Sequence, residues 1–403
     1  MRKLKILGLG DISTTGIGES LRIPLRHFHD SGHEISQTGL GFNGWADLID
    51  PDMYPWRNRL YNNLGNGSTE ERFGQKCLAQ LAQHVEPDIL VSAYDVWMVA
   101  HLAQPHLRLG KESQELLGLD TRCFNHVAYF PLDGALDDGT LPREMDEVIA
   151  GFDTPVTYSR FARDVVYRSM GIEIPFIPIA HDPTIYYPGS REEARARLGL
   201  PQDKWIIGMI GTNQYRKLFL EFLNACAPIA KRHSDVVIMP WTTWNQQIAG
   251  GFDLEHAIYT HDIARQCINP GSACHGMSDY QMADLYRAMD VCVLTTIGEG
   301  AGLPPLRSRA CGVPALVSAN SSNTEFTASE FERVTSHPTF YDNTSNIVRY
   351  TTDVAELSSK LEELYQDRSY RDHLGAVAAE EMKQYELANV VPLWDELIRG
   401  IIT

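Results

Sequence analysis

The chain has 403 residues, 43% of them hydrophobic and 22% charged, more than one hydrophobic core accommodates, which points to two domains of roughly 180 to 200 residues. Its 52 acidic against 35 basic residues leave a formal charge of −17, which argues against a general binder of DNA or of anionic membranes, because phosphate backbones need a basic face. The seven cysteines form no C-x-x-C pair and no segment reaches 18 apolar residues, so the expectation is a reduced, cytoplasmic protein. Cys267 and Cys274, with His261 and His275 nearby, fit no structural zinc spacing.

In chain order, Leu4-Lys5-Ile6-Leu7-Gly8-Leu9-Gly10 reads as a first strand. A polar loop follows, holding Gly16 and Gly18, then a helix over 19–30 and a second strand from His33. Gly8-x-Gly10 opens a dinucleotide fingerprint, but Ser13 replaces its third glycine, so a nicotinamide-dependent oxidoreductase is the weaker alternative. Asp50-Pro51-Asp52 lies in a loop with no strand before it and reads as a solvated turn, not a metal site. A helix over 70–84 precedes a buried strand over 87–92, with Asp95 at its carboxyl end. The strand over 125–130 ends in Asp133-Gly134, where Asp133 either caps the turn or meets a ligand. Strand-like 154–159, a helix over 160–170 stopped by Gly171, and a strand over 174–179 lead to 180–183, where the domain boundary is expected.

The second half opens with a buried strand over 205–211. Thr212-Asn213-Gln214-Tyr215-Arg216-Lys217 then leads into a helix reaching about residue 231. Cations at a strand's carboxyl end and a helix's start oppose the helix dipole, a broken rule that points either to an anionic ligand or to two solvated charges. After a strand over 236–241, His275-Gly276-Met277-Ser278 precedes a helix over 279–289 with Ser278 as N-cap. The apolar run 288–296, short enough for a buried strand, is followed by Ile297-Gly298-Glu299-Gly300-Ala301-Gly302-Leu303-Pro304-Pro305. A strand, a glycine loop and a helix N-terminus form a ready phosphate site. Glu299 in that loop is expected to be exposed and to accept hydrogen bonds from hydroxyls, as on a sugar. Residues 354–365 are amphipathic and 370–402 mostly helical.

Glu299-Gly300-Ala301-Gly302-Leu303-Pro304 followed by Ala310-Cys311-Gly312-Val313-Pro314 resembles the donor-site signature of the family-four retaining glycosyltransferases of GT-B fold. Two positions depart from it: Ala301 stands where an aromatic residue is usual, and Arg307 replaces a second glutamate that normally holds the ribose hydroxyls. The resemblance implies that Arg216 and Lys217 neutralise a donor diphosphate, that Glu299 orients the sugar, and that Asp133 meets the sugar or the acceptor hydroxyl. Gly16, Gly18, Asn213, His275, Gly276, Gly300, Ala301, Gly302, Leu303 and Arg307 complete the implied donor-binding set.

Strands alternating with helices predict an α/β protein of two doubly wound Rossmann-like domains facing across a cleft. The expected division is 1–183 on the acceptor side, 184–370 for the nucleotide sugar, and a helical segment 371–403 crossing back. The implied activity is transfer of a sugar from a nucleotide-sugar donor to an acceptor hydroxyl with retention of configuration, with no cofactor and no metal. A sugar-nucleotide-binding protein without transfer activity is the second alternative, and the acceptor class stays open.

Overall fold

The computed structural model describes residues 2–12, 15–40, 47, 49–62, 73, 77–103, 124–244, 250–270, 277–327 and 329–402, and every statement below concerns these. The chain forms two compact units, one of Met1–Ile179 with Val390–Thr403, the other Ala180–Asn389.

The first unit is built on β1 (Lys5–Gly10), β2 (Glu34–Gly39), β3 (Leu60–Asn62), β4 (Ile89–Ala93), β5 (Asn125–Phe130) and β6 (Thr154–Thr157). They pair in the order β3-β2-β1-β4-β5-β6, all parallel. This is the doubly wound order, with the chain switching direction between β1 and β4. Strands buried on both faces need continuous apolar runs, which Ile6, Leu7, Leu9, Ile89, Leu90 and Val91 supply, all 0% exposed. The first helix is Gly16–Asp30, starting three residues before the position expected from sequence, because Thr15 caps it by accepting from the Gly18 amide at 3.1 Å. Gly16 and Gly18 therefore lie in a helical first turn. The strand expected over 174–179 reduces to one bridge, Phe176 to Thr157, since Pro175 and Pro178 donate nothing to a ladder. The helix Leu387–Ile402 returns Trp394 to this unit, where it is 1% exposed and meets Phe28 and Tyr129 edge-on with ring centroids 6.2 and 4.8 Å away.

The second unit contains β7 (Trp205–Ile210), β8 (Val236–Trp241), β9 (Val291–Leu294), β10 (Ala315–Ser318) and β11 (Arg333–Val334), parallel in the order β11-β10-β9-β7-β8. Here the switch falls between β7 and β9. A separate antiparallel pair, β12 (Ser336–Tyr341) and β13 (Val348–Thr352), escaped the sequence reading. Ser278 caps the helix Asp279–Ala288 through a full capping box with Gln281, as expected. Helices Val354–Gln366 and Arg368–Met382 both belong to this unit. No helix among the described residues is long and apolar enough to cross a membrane.

Candidate functional site

Open parallel sheets bind ligands beyond their carboxyl ends at the switch point. In the second unit, that places the loops after β7 and β9 side by side, and hydrogen bonds stitch them together. The Ile297 amide donates to the Arg216 carbonyl at 3.0 Å, and the Thr295 hydroxyl donates to the Leu218 carbonyl at 3.0 Å. Thr296 Oγ1 lies 3.0 Å from the carbonyls of both Arg216 and Gly298. Arg216 and Lys217 form a single turn of 3-10 helix, Tyr215–Lys217, and Leu218 at φ 42° turns the chain into the helix Phe219–Arg232.

These contacts bring three charges together. Glu299 Oε1 accepts from Arg216 Nη1 at 2.8 Å and from Lys217 Nζ. The Glu299 amide donates to Ser321 Oγ at 2.8 Å, and its carbonyl accepts from the Ser322 hydroxyl, so the loop after β10 fixes the backbone behind the carboxylate. The expectation of an exposed loop carboxylate is corrected here: Glu299 is 6% and Lys217 7% exposed, while the Arg216 side chain stays 40% exposed. The glutamate is buried because its own loop folds back onto the two cations.

Burial pushes the Lys217 ammonium down, Glu299 pulls it up, and Arg216 pushes it down again, leaving about 8. Burial acts to raise the Glu299 carboxyl, but Arg216 and Lys217 outweigh it and hold the group below the ordinary carboxylate value. The arrangement is a buried lysine and a partly exposed arginine occupied by an internal anion, which an incoming diphosphate is chemically suited to displace.

The glycine loop behaves as its composition requires at one position: Gly302 has φ +79° and leads into the helix Leu303–Ala310. A Cβ on it would lie 3.3 Å from Asn323 Oδ1. Pro304 and Pro305 carry no N–H, so of the amides expected to face an anion at this helix start, Leu303 retains one and the prolines supply none. Gly300 and Ala301 are half-buried in the same loop.

Other expected residues fall elsewhere or do other work. The Asn213 side chain is fully buried, donating from Nδ2 to the Phe252 carbonyl at 2.6 Å and accepting the Phe252 amide at 3.0 Å, so it ties down a neighbouring loop. A Cβ on Gly251 in that loop would fall 2.1 Å from the Asn213 carbonyl oxygen. The Arg307 guanidinium sits 4.8 Å over the ring of Tyr186, itself 3% exposed. His275 and Gly276 lie outside the described residues. Gly16, Gly18 and the half-buried Asp133 belong to the first unit, beyond β1 and β5 respectively. The Asp50 carboxylate accepts from the Asp52 amide at 2.8 Å, a turn contact. Ser321 and Ser322, in the stretch 318–325 that resembles a further phosphate-side loop, position Glu299, a role not read from the sequence.

Two parallel-sheet α/β units, the second with a cation and carboxylate site at its switch point, define the GT-B class of fold. Residues 190–381 match the family described as Glycosyl transferases group 1. The D-inositol 3-phosphate glycosyltransferase of Stackebrandtia nassauensis is 23% identical over 248 residues, 60% of this chain and 52% of that protein. That of Nocardiopsis dassonvillei is 28% identical over 184 residues, 44% of this chain and 40% of that protein. The chain thus spans about half or less of the curated relatives it matches. Among solved structures, sucrose-phosphate synthase from Thermosynechococcus elongatus superposes with TM-score 0.75 at 15% identity, over 100% of this chain and 99% of that one. Anabaena Alr3699/HepE in complex with UDP and glucose gives 0.70 at 13%, over 98% and 100%. At these identities the structural likeness establishes the fold.

Proposed function

We propose that the protein is a metal-independent retaining glycosyltransferase that moves a sugar from a nucleoside-diphosphate donor to an acceptor hydroxyl. The observation that carries this reading is the Glu299 carboxylate clamped by Lys217 and Arg216 at the switch point of a sheet lying within the group 1 match. In the reaction the bond from the anomeric carbon to the terminal phosphate oxygen breaks. The acceptor oxygen bonds to the same face of that carbon, and its proton passes to the departing phosphate oxygen. Lys217 and Arg216 neutralise the charge that grows on the diphosphate, an effect strengthened at Lys217 by its low-dielectric surroundings. Glu299, released from the cations as the diphosphate arrives, accepts hydrogen bonds from the donor sugar. The glycine loop from Gly300 to Gly302 lets the donor approach the backbone. Gly16 and Gly18 are assigned to the donor phosphates, Asp133 to the acceptor hydroxyl or the sugar, and His275 and Gly276 to the nucleotide base.

The UDP and glucose bound by HepE make UDP-sugars the first donors to test. Incubation with UDP-, GDP- and ADP-sugars, with and without EDTA, should release nucleoside diphosphate from one class and be indifferent to the chelator. A panel with no release and no thermal shift would overturn the reading. Release that stops with EDTA would overturn its metal independence.

A further inference from the structure

Each of the two parallel sheets has a switch point, and the one between β1 and β4 in the first unit lies beside an exposed tryptophan. Trp97 stands in the 3-10 helix Val96–Leu102 that follows β4, and it is 62% exposed. Trp56, Trp205, Trp241 and Trp394 are all 9% exposed or less, as is usual for so large an apolar side chain. The exposed indole is also anchored. Val96 and Val99 are buried in the same turn, and the Trp97 ring meets the Phe73 ring edge-on with centroids 5.5 Å apart. Phe73 meets the ring of Tyr94 edge-on at the same distance, and the buried Tyr94 accepts the Leu40 amide on its hydroxyl at 3.2 Å. A chain of aromatic contacts thus runs from the core to a ring presented to solvent where open sheets take their ligands.

The charge around this ring narrows the chemistry of what it can bind. Among the described residues within three positions of a strand's carboxyl end in this sheet, the charged ones are Asp11 after β1, Asp95 after β4, Asp133 after β5 and Arg160 after β6. Glu19 and Arg22, both early in the first helix, cancel. Arg160 follows the edge strand, and its guanidinium sits 5.1 Å over the Phe176 ring. The neighbouring strands β1, β4 and β5 therefore each end in an acid, which disfavours a phosphorylated ligand. A pyranose suits both features: its face of C–H bonds covers an indole, and its rim of hydroxyls donates to carboxylates.

We propose that Trp97 is the stacking platform of a saccharide site, with Asp95 accepting from sugar hydroxyls, and that the acceptor of the transfer is a neutral saccharide. Its role as acceptor rests on the transferase reading above, whereas binding of the sugar does not. β5 pairs with β4, so Asp133, assigned above to the acceptor hydroxyl or the sugar, belongs to the same edge of the sheet.

Maltose and the methyl α-glycosides of glucose, mannose and galactose, each added without nucleotide, are the probes for saturation-transfer NMR. At least one should receive saturation on its ring C–H protons. Trp97→Ala should then raise its Kd roughly fivefold or more, and Trp97→Phe should restore most of the affinity. Asp95→Ala should weaken the same probe, and Trp97→Ala should melt with the unaltered protein, because the indole is mostly in solvent. No saturation transfer at tens of millimolar, or an unchanged Kd in Trp97→Ala, overturns the proposal. So does Trp97-dependent binding of glucose 6-phosphate, phenol or deoxycytidine in place of the neutral sugars. Binding that survives Trp97→Ala and is lost in Glu299→Gln would put the sugar at the donor loop and equally refute it. A negative nucleotide-sugar panel would leave the saccharide site standing, and a positive panel with no saccharide bound would leave the donor site standing, so the two failures are told apart.

Discussion

Glu299→Gln should destabilise the second unit and tighten its hold on nucleotide while slowing transfer. Even with Glu299 attached, Lys217 sits at about 8 against an ordinary 10.5, so holding its charge costs roughly 3 kcal/mol. Removing one partner of a buried pair costs about 3–5 kcal/mol when the other stays charged. Lys217 has an escape, because without Glu299, which pulls its value up, the buried ammonium sheds its proton more readily, which brings the expected loss to about 2–3 kcal/mol. For a unit of this size that is a fall in melting temperature of about 5–10 °C. The pair attracts only while both members are charged. Glu299, whose folded value is lowered, is ionised from mildly acidic pH upward, and Lys217 sheds its proton as pH rises through about 8. The deficit should therefore be full between roughly pH 5 and 8 and shrink above 8. Thermal unfolding of both proteins from pH 6 to 9.5, with UDP titrations alongside, reads all three effects. An unchanged melting temperature at pH 7, or a deficit constant across that range, would refute the reasoning.

Lys217→Ala should slow transfer about a hundredfold or more; a change confined to the acceptor KM would remove Lys217 from the diphosphate. In the unaltered protein, UDP affinity should fall as pH rises through about 8, because the free site then loses the ammonium that the phosphates need, and a flat calorimetric profile from pH 6.5 to 9 would contradict this. Arg307→Ala should lower stability by about 0.5–2 kcal/mol, the range for a cation over a ring, and leave UDP affinity unaltered; weaker binding at constant melting temperature would place Arg307 on the donor. Gly251→Ala should cost about 1–3 kcal/mol, since its methyl meets backbone oxygen at 2.1 Å, and a wild-type melting curve would disprove that close approach.

The doubly wound strands were legible because burial on both faces leaves an unbroken apolar signature, as in Trp205–Ile210 and Val291–Leu294. Glu299, Arg216 and Lys217 could be picked out because charge at the end of such a run contradicts its surroundings. Their mutual contact could not, since the two loops are about eighty residues apart in sequence. Nor could the burial of Glu299, whose loop folds back onto the two cations with its backbone held by the loop after β10. The β12–β13 pair stayed hidden because Ser336-His337-Pro338-Thr339-Phe340-Tyr341 is largely exposed and has no apolar alternation to read. Arg307 was recognisable as a departure, yet its ring partner Tyr186 stands more than a hundred residues upstream.

Trp394 imposes an order on how the protein can be made. The second unit is one continuous stretch, whereas the first has its opening residues at the start of the chain and the indole between Phe28 and Tyr129 near its end. At about 5–20 residues per second, the ribosome needs roughly 10–40 s after Ile179 to deliver that side chain. Until then Phe28 and Tyr129 lack the ring that covers them. The core of the unit synthesised first is accordingly completed only after the second unit has been made. A chain stopped at Asn389 would carry every residue of the second unit and leave Phe28 and Tyr129 without the indole that covers them.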